Sequence, residues 1–140
     1  MRLWHKDLIP VLPRQQLLGQ WRECCLIAKQ IIETGSPNHI LVNKVMDYPL
    51  NHLLYYGRLV ETECSRRGYK ISGDNFDKYF RDGNGAVPYP YPDLPDLFSE
   101  WHNARYLKQC FYNLQEKYDC GGISDEDWFE IHRHVMEVLE

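Results

Sequence analysis

The sequence predicts an all-α fold, a compact single-domain helical bundle over residues 1–140 interrupted by one long Pro/Gly/Tyr-rich loop. Three observations predict it. Apolar residues recur at spacings of three and four in several stretches, the period of a helix with one buried face. Gly and Pro fall at the ends of those stretches, where helices stop and start. No segment alternates apolar and polar residues between paired turn signals as strands do, and no internal repeat is visible. The chain is long enough to bury a core without a structural metal or disulfides, and 4 Trp, 10 Tyr and 5 Phe are more than a disordered chain carries.

The first helix is expected over Gln15 to Thr34, with Leu17, Leu18, Trp21, Cys24, Cys25, Ala28, Ile31 and Ile32 on its inner face and Gly35-Ser36-Pro37 ending it. A short helix is expected from His39 to Met46, broken by Asp47-Tyr48-Pro49. Pro49 suits the first turn of the next helix, which runs to Arg67 on the stripe Leu50, Leu53, Leu54, Gly57, Val60 and Cys64, with Gly68 at the left-handed stop. Gly73 to Pro95 reads as a long loop in which only Asn75 to Phe80 suits a helical turn or two. Its segment Val87 to Pro92 favours an extended backbone, with tyrosines that either stack on bases or cover the core. A long helix is expected over Asp96 to Tyr118, closed by Gly121-Gly122. The last opens on a capping box, Ser124 with Asp127, and runs to the end.

The apolar runs are too short to span a bilayer and the start lacks the apolar region of a signal peptide, so a cytoplasmic location is expected. Five cysteines, an odd number, read as buried thiols rather than disulfides. The net charge of -4 hides an asymmetry: residues 1–70 carry 10 Lys/Arg against 6 Asp/Glu, and residues 71–140 carry 6 against 14. The basic half is where a polyanion would dock, unless the two halves attract one another across a shared core.

Arg22-Glu23 alone would be an ordinary solvated pair, but it sits inside a longer pattern. Leu12-Pro13-Arg14-Gln15-Gln16-Leu17-Leu18-Gly19-Gln20-Trp21-Arg22-Glu23 resembles the first helix of the pyrimidine-dimer DNA glycosylases, which opens on Leu-x-x-Gln-x-Leu and carries an aromatic-Arg-Glu triplet. Ser36-Pro37 is similar to the family's Ser-Pro after that helix. Glu63-Cys64-Ser65-Arg66-Arg67-Gly68-Tyr69-Lys70-Ile71 is similar to its Glu-Cys-x-x-Arg-Gly-aromatic-x-Ile helix end. The resemblance covers residues 1–71 in order, leaving residues 72–140 as the loop plus two C-terminal helices.

The resemblance implies a glycosylase/AP lyase acting on damaged duplex DNA without metal or cofactor, as a monomer. The amine of the N-terminal residue would attack C1' and form a Schiff base. An α-amine suits this, since its reference pKa of about 7.7–8.0 leaves a neutral fraction near neutral pH. Because Met1 precedes the bulky Arg2, Met1 itself is expected to be retained and to supply the amine. Glu23 matches the catalytic glutamate, Arg22 the phosphate-holding arginine, and Arg2 the basic residue after the nucleophile; Arg14, Gln15 and Lys29 complete the expected DNA-binding set.

Leu26 stands where a second basic residue is expected, so Arg14, Lys29, Lys44 or Arg58 would rebuild that grip, and aligning Met1 with the nucleophile requires one extra residue between His5 and Val11. The alternatives are a non-catalytic helical DNA-binding or protein-interaction module and a metal-dependent hydrolase using His132 and His134. Those two histidines are about 200 degrees apart on a helix, unlike the i, i+4 spacing that shares an ion. His5, His39, His52 and His102 read as capped or surface residues, His52 lining a cleft at most. Cys24 and Cys25 read as packing residues rather than nucleophiles.

Overall fold

A computed structural model describes residues 1–80 and 96–140. Among the described residues there is no strand, and none of their helices is long and apolar enough to cross a membrane. Residues 1–5 are extended and lead into a 3-10 helix, Lys6–Val11. Helix α1 spans Arg14–Thr34 and buries Leu17, Trp21, Cys24, Ile27, Ala28 and Ile31. Gly35 ends it as expected, with φ 85° and its N–H donating to the Ile31 carbonyl at 2.8 Å.

The helix expected over His39 to Met46 is only a 3-10 helix, Asn43–Asp47. Side chains take the backbone's bonds there: the His39 N–H donates to Asn43 Oδ1 at 3.0 Å and the Leu41 N–H to His39 Nδ1 at 3.2 Å. Helix α2, Leu50–Arg66, follows Pro49, and Gly68 takes the left-handed conformation with φ 80°. Tyr55 and Tyr56 are buried beside its predicted stripe, so α2 is covered over much of its circumference. At its C-terminal end Arg67 donates to the carbonyls of Leu12 (2.7 Å) and Pro10 (3.0 Å) while Glu63 receives Arg66 and Arg67. The Glu-Cys-x-x-Arg signature thus ties the end of α2 to the start of α1.

Helix α3, Asp74–Asp77, continues into a 3-10 turn, Lys78–Phe80, which is the short turn expected in the loop. Phe76 packs so closely on Gly57 that a Cβ there would lie 2.4 Å from its ring. The segment Val87 to Pro92 and its tyrosines lie outside the described residues.

Helix α4 is Ala104–Asp119, starting eight residues later than the apolar pattern suggested. Residues 96–103 are instead a turn around Phe98, whose φ is 52° and whose carbonyl accepts from both Trp101 (2.8 Å) and His102 (2.6 Å). Tyr48 Oη accepts from the Trp101 N–H and His52 Nδ1 from the Phe98 N–H, and Asn103 caps α4 through the Tyr106 N–H. Helix α5, Asp125–Leu139, follows Gly121, with Ser124 capping through the Asp127 N–H at 3.1 Å. Trp128 stacks between Tyr118 and Phe111, and α5 packs on α4 and on the 3-10 helix Lys6–Val11.

Two histidines read as capped or surface groups are buried. His5 (3% exposed) and His102 (5% exposed) stack at 5.1 Å between centroids. Each uses Nδ1 as an acceptor, His5 from the Asp7 N–H and His102 from the Lys6 N–H, so both must be neutral there. Burial pushes His102 down to about 2, helped by the repulsion that a second charge on His5 or the one on Lys6 would add, and burial also lowers His5. Below a pH of about 6.5 the unfolded chain binds a proton that folded His102 refuses, so His102 removes about 1.4 kcal/mol of stability per pH unit there, and the lowered His5 acts in the same direction. Urea midpoints should therefore fall steeply from pH 7 to pH 5, and His102→Asn should flatten the slope. An unchanged slope in that variant would remove His102 from the account.

Candidate active site

The extended residues 1–5 run between α1 and α4, and side chains from both sides hold their backbone. Tyr106 of α4 donates its hydroxyl to the Leu3 carbonyl at 2.6 Å, and Tyr56 of α2 donates to the Trp4 carbonyl at 2.6 Å. From α1, Gln20 accepts from the Trp4 N–H at 2.7 Å and donates to the Arg2 carbonyl at 2.9 Å. The chain's first nitrogen is thereby brought to Glu23: the Met1 amine lies 4.0 Å from Oε1, and the Arg2 N–H donates to Oε2 at 3.1 Å. Glu23 is one third exposed and Met1 half-buried, so the pair is anchored yet open to solvent.

A cleft of about 320 Å³ opens at Glu23, lined by Trp4, Gln15, Gln16, Gly19, Gln20, Arg22 and Lys117. Arg22 and Gln15 also line a neighbouring cleft of about 450 Å³ with Arg14 and the α5 cap Ser124. Arg14 stacks over the Tyr69 ring at 5.2 Å. Lys29 is exposed outside these clefts, on the same face of α1 as Gln15 and Arg22; steps of seven residues separate the three by about 10 Å each. Arg2 turns to another cleft, about 520 Å³, shared with Lys44, Trp101, Tyr106 and Tyr112. Its guanidinium lies 5.5 Å from the Trp4 ring and 3.9 Å, through Nη1, from Cys110 Sγ.

Arg58 is not available to replace the basic residue absent at Leu26. It is paired with Glu61 and Asp77 and lies against the Phe76 ring. Lys117, from the acidic half of the chain, lines the Glu23 cleft.

The remaining nucleophile and metal candidates are placed elsewhere. Burial holds the Cys24 thiol well above its ordinary range and raises Cys25 to about 11, so neither offers a thiolate near neutral pH. All five cysteines are free, but only Cys24, Cys64 and Cys110 are buried, whereas Cys120 is exposed. His132 is exposed beside Phe111, and His134 faces the Asp7 carbonyl at 2.6 Å through Nε2, so the two do not converge. Among the described residues no three His, Cys, Asp or Glu side chains are grouped to hold a metal ion.

Gln20, Tyr56, Tyr106 and Lys117 were not singled out by the sequence. Gln20 had a visible signal, an amide within the apolar stripe of α1. The others reach the site only through tertiary packing.

The family model for pyrimidine dimer DNA glycosylase matches residues 1–77, more than half of the chain and all of α1, α2 and the Met1–Glu23 pair. No curated protein and no solved structure matches the chain. On this match the chain belongs to the pyrimidine dimer DNA glycosylase family.

Proposed function

We propose that the chain excises a damaged pyrimidine from duplex DNA through its N-terminal amine and then nicks the abasic strand, with Glu23 moving the protons. The observation that carries this reading is the 4.0 Å approach of the Met1 nitrogen to Glu23 Oε1. The neutral amine attacks C1', and the bond to the base breaks with its electron pair leaving on the base. Ring opening of the sugar then gives a protonated Schiff base, whose positive charge faces the Glu23 carboxylate. Glu23 takes a proton from C2', the 3' phosphate leaves by β-elimination, and water hydrolyses the Schiff base to free the amine.

The charge layout supports duplex docking on this face. Arg22, Gln15 and Lys29 form a row along α1, Arg14 and Lys117 flank the cleft, and Arg2 and Lys44 line the next one. Arg22→Ala and Lys117→Ala should each weaken binding to any duplex and lower the slope of log affinity against log salt by about 0.9. A salt slope unchanged in both variants would move the docking face elsewhere.

The test of the chemistry is borohydride reduction on a duplex carrying an abasic site, with the adduct mapped by mass spectrometry. The expected result is one covalent adduct on Met1. Absence of an adduct sinks the amine mechanism, and an adduct on Lys117 transfers the role to that lysine.

A further inference from the structure

Gln20 is 1% exposed on the face of α1 that otherwise buries Leu17, Trp21, Cys24 and Ile27. A buried amide is costly unless its bonding groups are used, and this one uses them on the site. Oε1 accepts from the Trp4 N–H at 2.7 Å and lies 3.0 Å from the Tyr56 hydroxyl. Nε2 donates to the Arg2 carbonyl at 2.9 Å and, at a longer 3.4 Å, to Glu23 Oε2. The Trp4 donor and the Arg2 acceptor fix which end of the amide is oxygen, independently of any assumed orientation.

The N–H of residue 4 and the carbonyl of residue 2 project from the same edge of an extended chain. An amide bonding both does what a neighbouring strand's peptide group would do. Gln20 thus holds the backbone that delivers the Met1 nitrogen. Through its second N–H, and together with the Arg2 N–H, it also occupies Glu23 Oε2 and leaves Oε1 toward the amine.

We propose that Gln20 is a positioning residue for the reaction, setting the Met1 amine and the Glu23 carboxylate in register. This role rests on the amine mechanism proposed above. Glutamate cannot substitute, because an ionised carboxylate would set oxygens against the Arg2 carbonyl and Glu23; methionine keeps the volume and loses every bond.

The test compares Gln20→Met with the parent on an abasic duplex under single-turnover conditions, alongside affinity for a duplex carrying a tetrahydrofuran abasic analogue. The expected result is a rate lowered about 100-fold, as for a misplacement of about 1 Å, with affinity unchanged. The rate of borohydride trapping should fall with it. A merely structural role would lower the melting temperature and leave the rate of the folded protein alone. A folded Gln20→Met protein with the parent's rate, or one losing rate and affinity in proportion, overturns the proposal.

If Gln20→Met does not fold, Tyr56→Phe decides, because that hydroxyl reaches the site only through Gln20 and the Trp4 carbonyl: a slower rate at unchanged affinity supports the role and an unchanged rate ends it. The N-acetylated parent separates the two readings. If it still turns over, the amine mechanism fails and this role with it; if it is inactive while Gln20→Met is active, only the Gln20 role fails.

Discussion

Replacing Glu23 by glutamine should yield a folded protein that binds damaged duplex and fails to cleave it, with single-turnover rates down by about 10²–10⁴-fold. The substitution keeps the side chain's shape. The amide oxygen can occupy the position of Oε2, still receiving the Arg2 N–H (3.1 Å in the parent) and the Gln20 amide. The amide nitrogen then replaces Oε1 and turns a donor toward the Met1 amine, where the parent holds an acceptor with negative charge. Both contributions that the proposed mechanism asks of the carboxylate would vanish: the charge that favours the cationic Schiff base and the base that removes the C2' proton. Binding should persist because the cations facing the clefts, Arg22, Arg14, Lys117 and Arg2, are separate groups. Parallel binding and cleavage assays check this. If glutamine retained the parent's rate, Glu23 would be a structural partner of the N-terminal segment, and a non-catalytic DNA-binding role would become the better account.

The parts of this site legible in the sequence are those that depend on local order. The period of α1, its glycine stop and the Trp21-Arg22-Glu23 triplet are properties of consecutive residues, and the structure reproduces the helix with Glu23 on a half-exposed face. Lys117 was not legible because nothing in α4 states that it lines the same cleft as Glu23; only the path of the chain brings it there. The start of α4 failed for a related reason. Leu97, Phe98 and Trp101 have helix-like spacing, but their burial is served by a turn at Phe98 that Tyr48 and His52 satisfy from a distant segment. The buried His5–His102 stack has the same origin, being made by residues far apart in sequence. Gln20 differs: a polar residue at a core position of a helix is a signal within the sequence itself, and its meaning appears only once the segment it bonds is known to be residues 2–4.

Blocking the N-terminus should have an effect of similar size, with turnover below about 10⁻³ of the parent's, since an amide nitrogen has no available lone pair for attack at C1'. Two modifications separate chemistry from placement. Acetylation leaves the backbone where it is and removes the nucleophile. Addition of one residue before Met1 restores a free amine but moves it by up to about 3.6 Å. That displacement is comparable to the 4.0 Å separating the Met1 nitrogen from Glu23 Oε1, so the new amine sits out of register with the carboxylate. Both proteins should keep the parent's affinity for abasic-analogue duplex, because Arg2, Arg22 and Lys117 are untouched. Acetylation should abolish borohydride trapping, whereas the extended protein should trap weakly, with its adduct on the added residue. Full activity in the acetylated protein would show that the reacting amine is elsewhere, and full activity in the extended protein with its adduct on the added residue would show that register with Glu23 is not required. Lys117, the lysine lining the Glu23 cleft, would then be the first to replace, and Lys117→Arg would distinguish a nucleophile from a phosphate contact by keeping the charge while removing the primary amine.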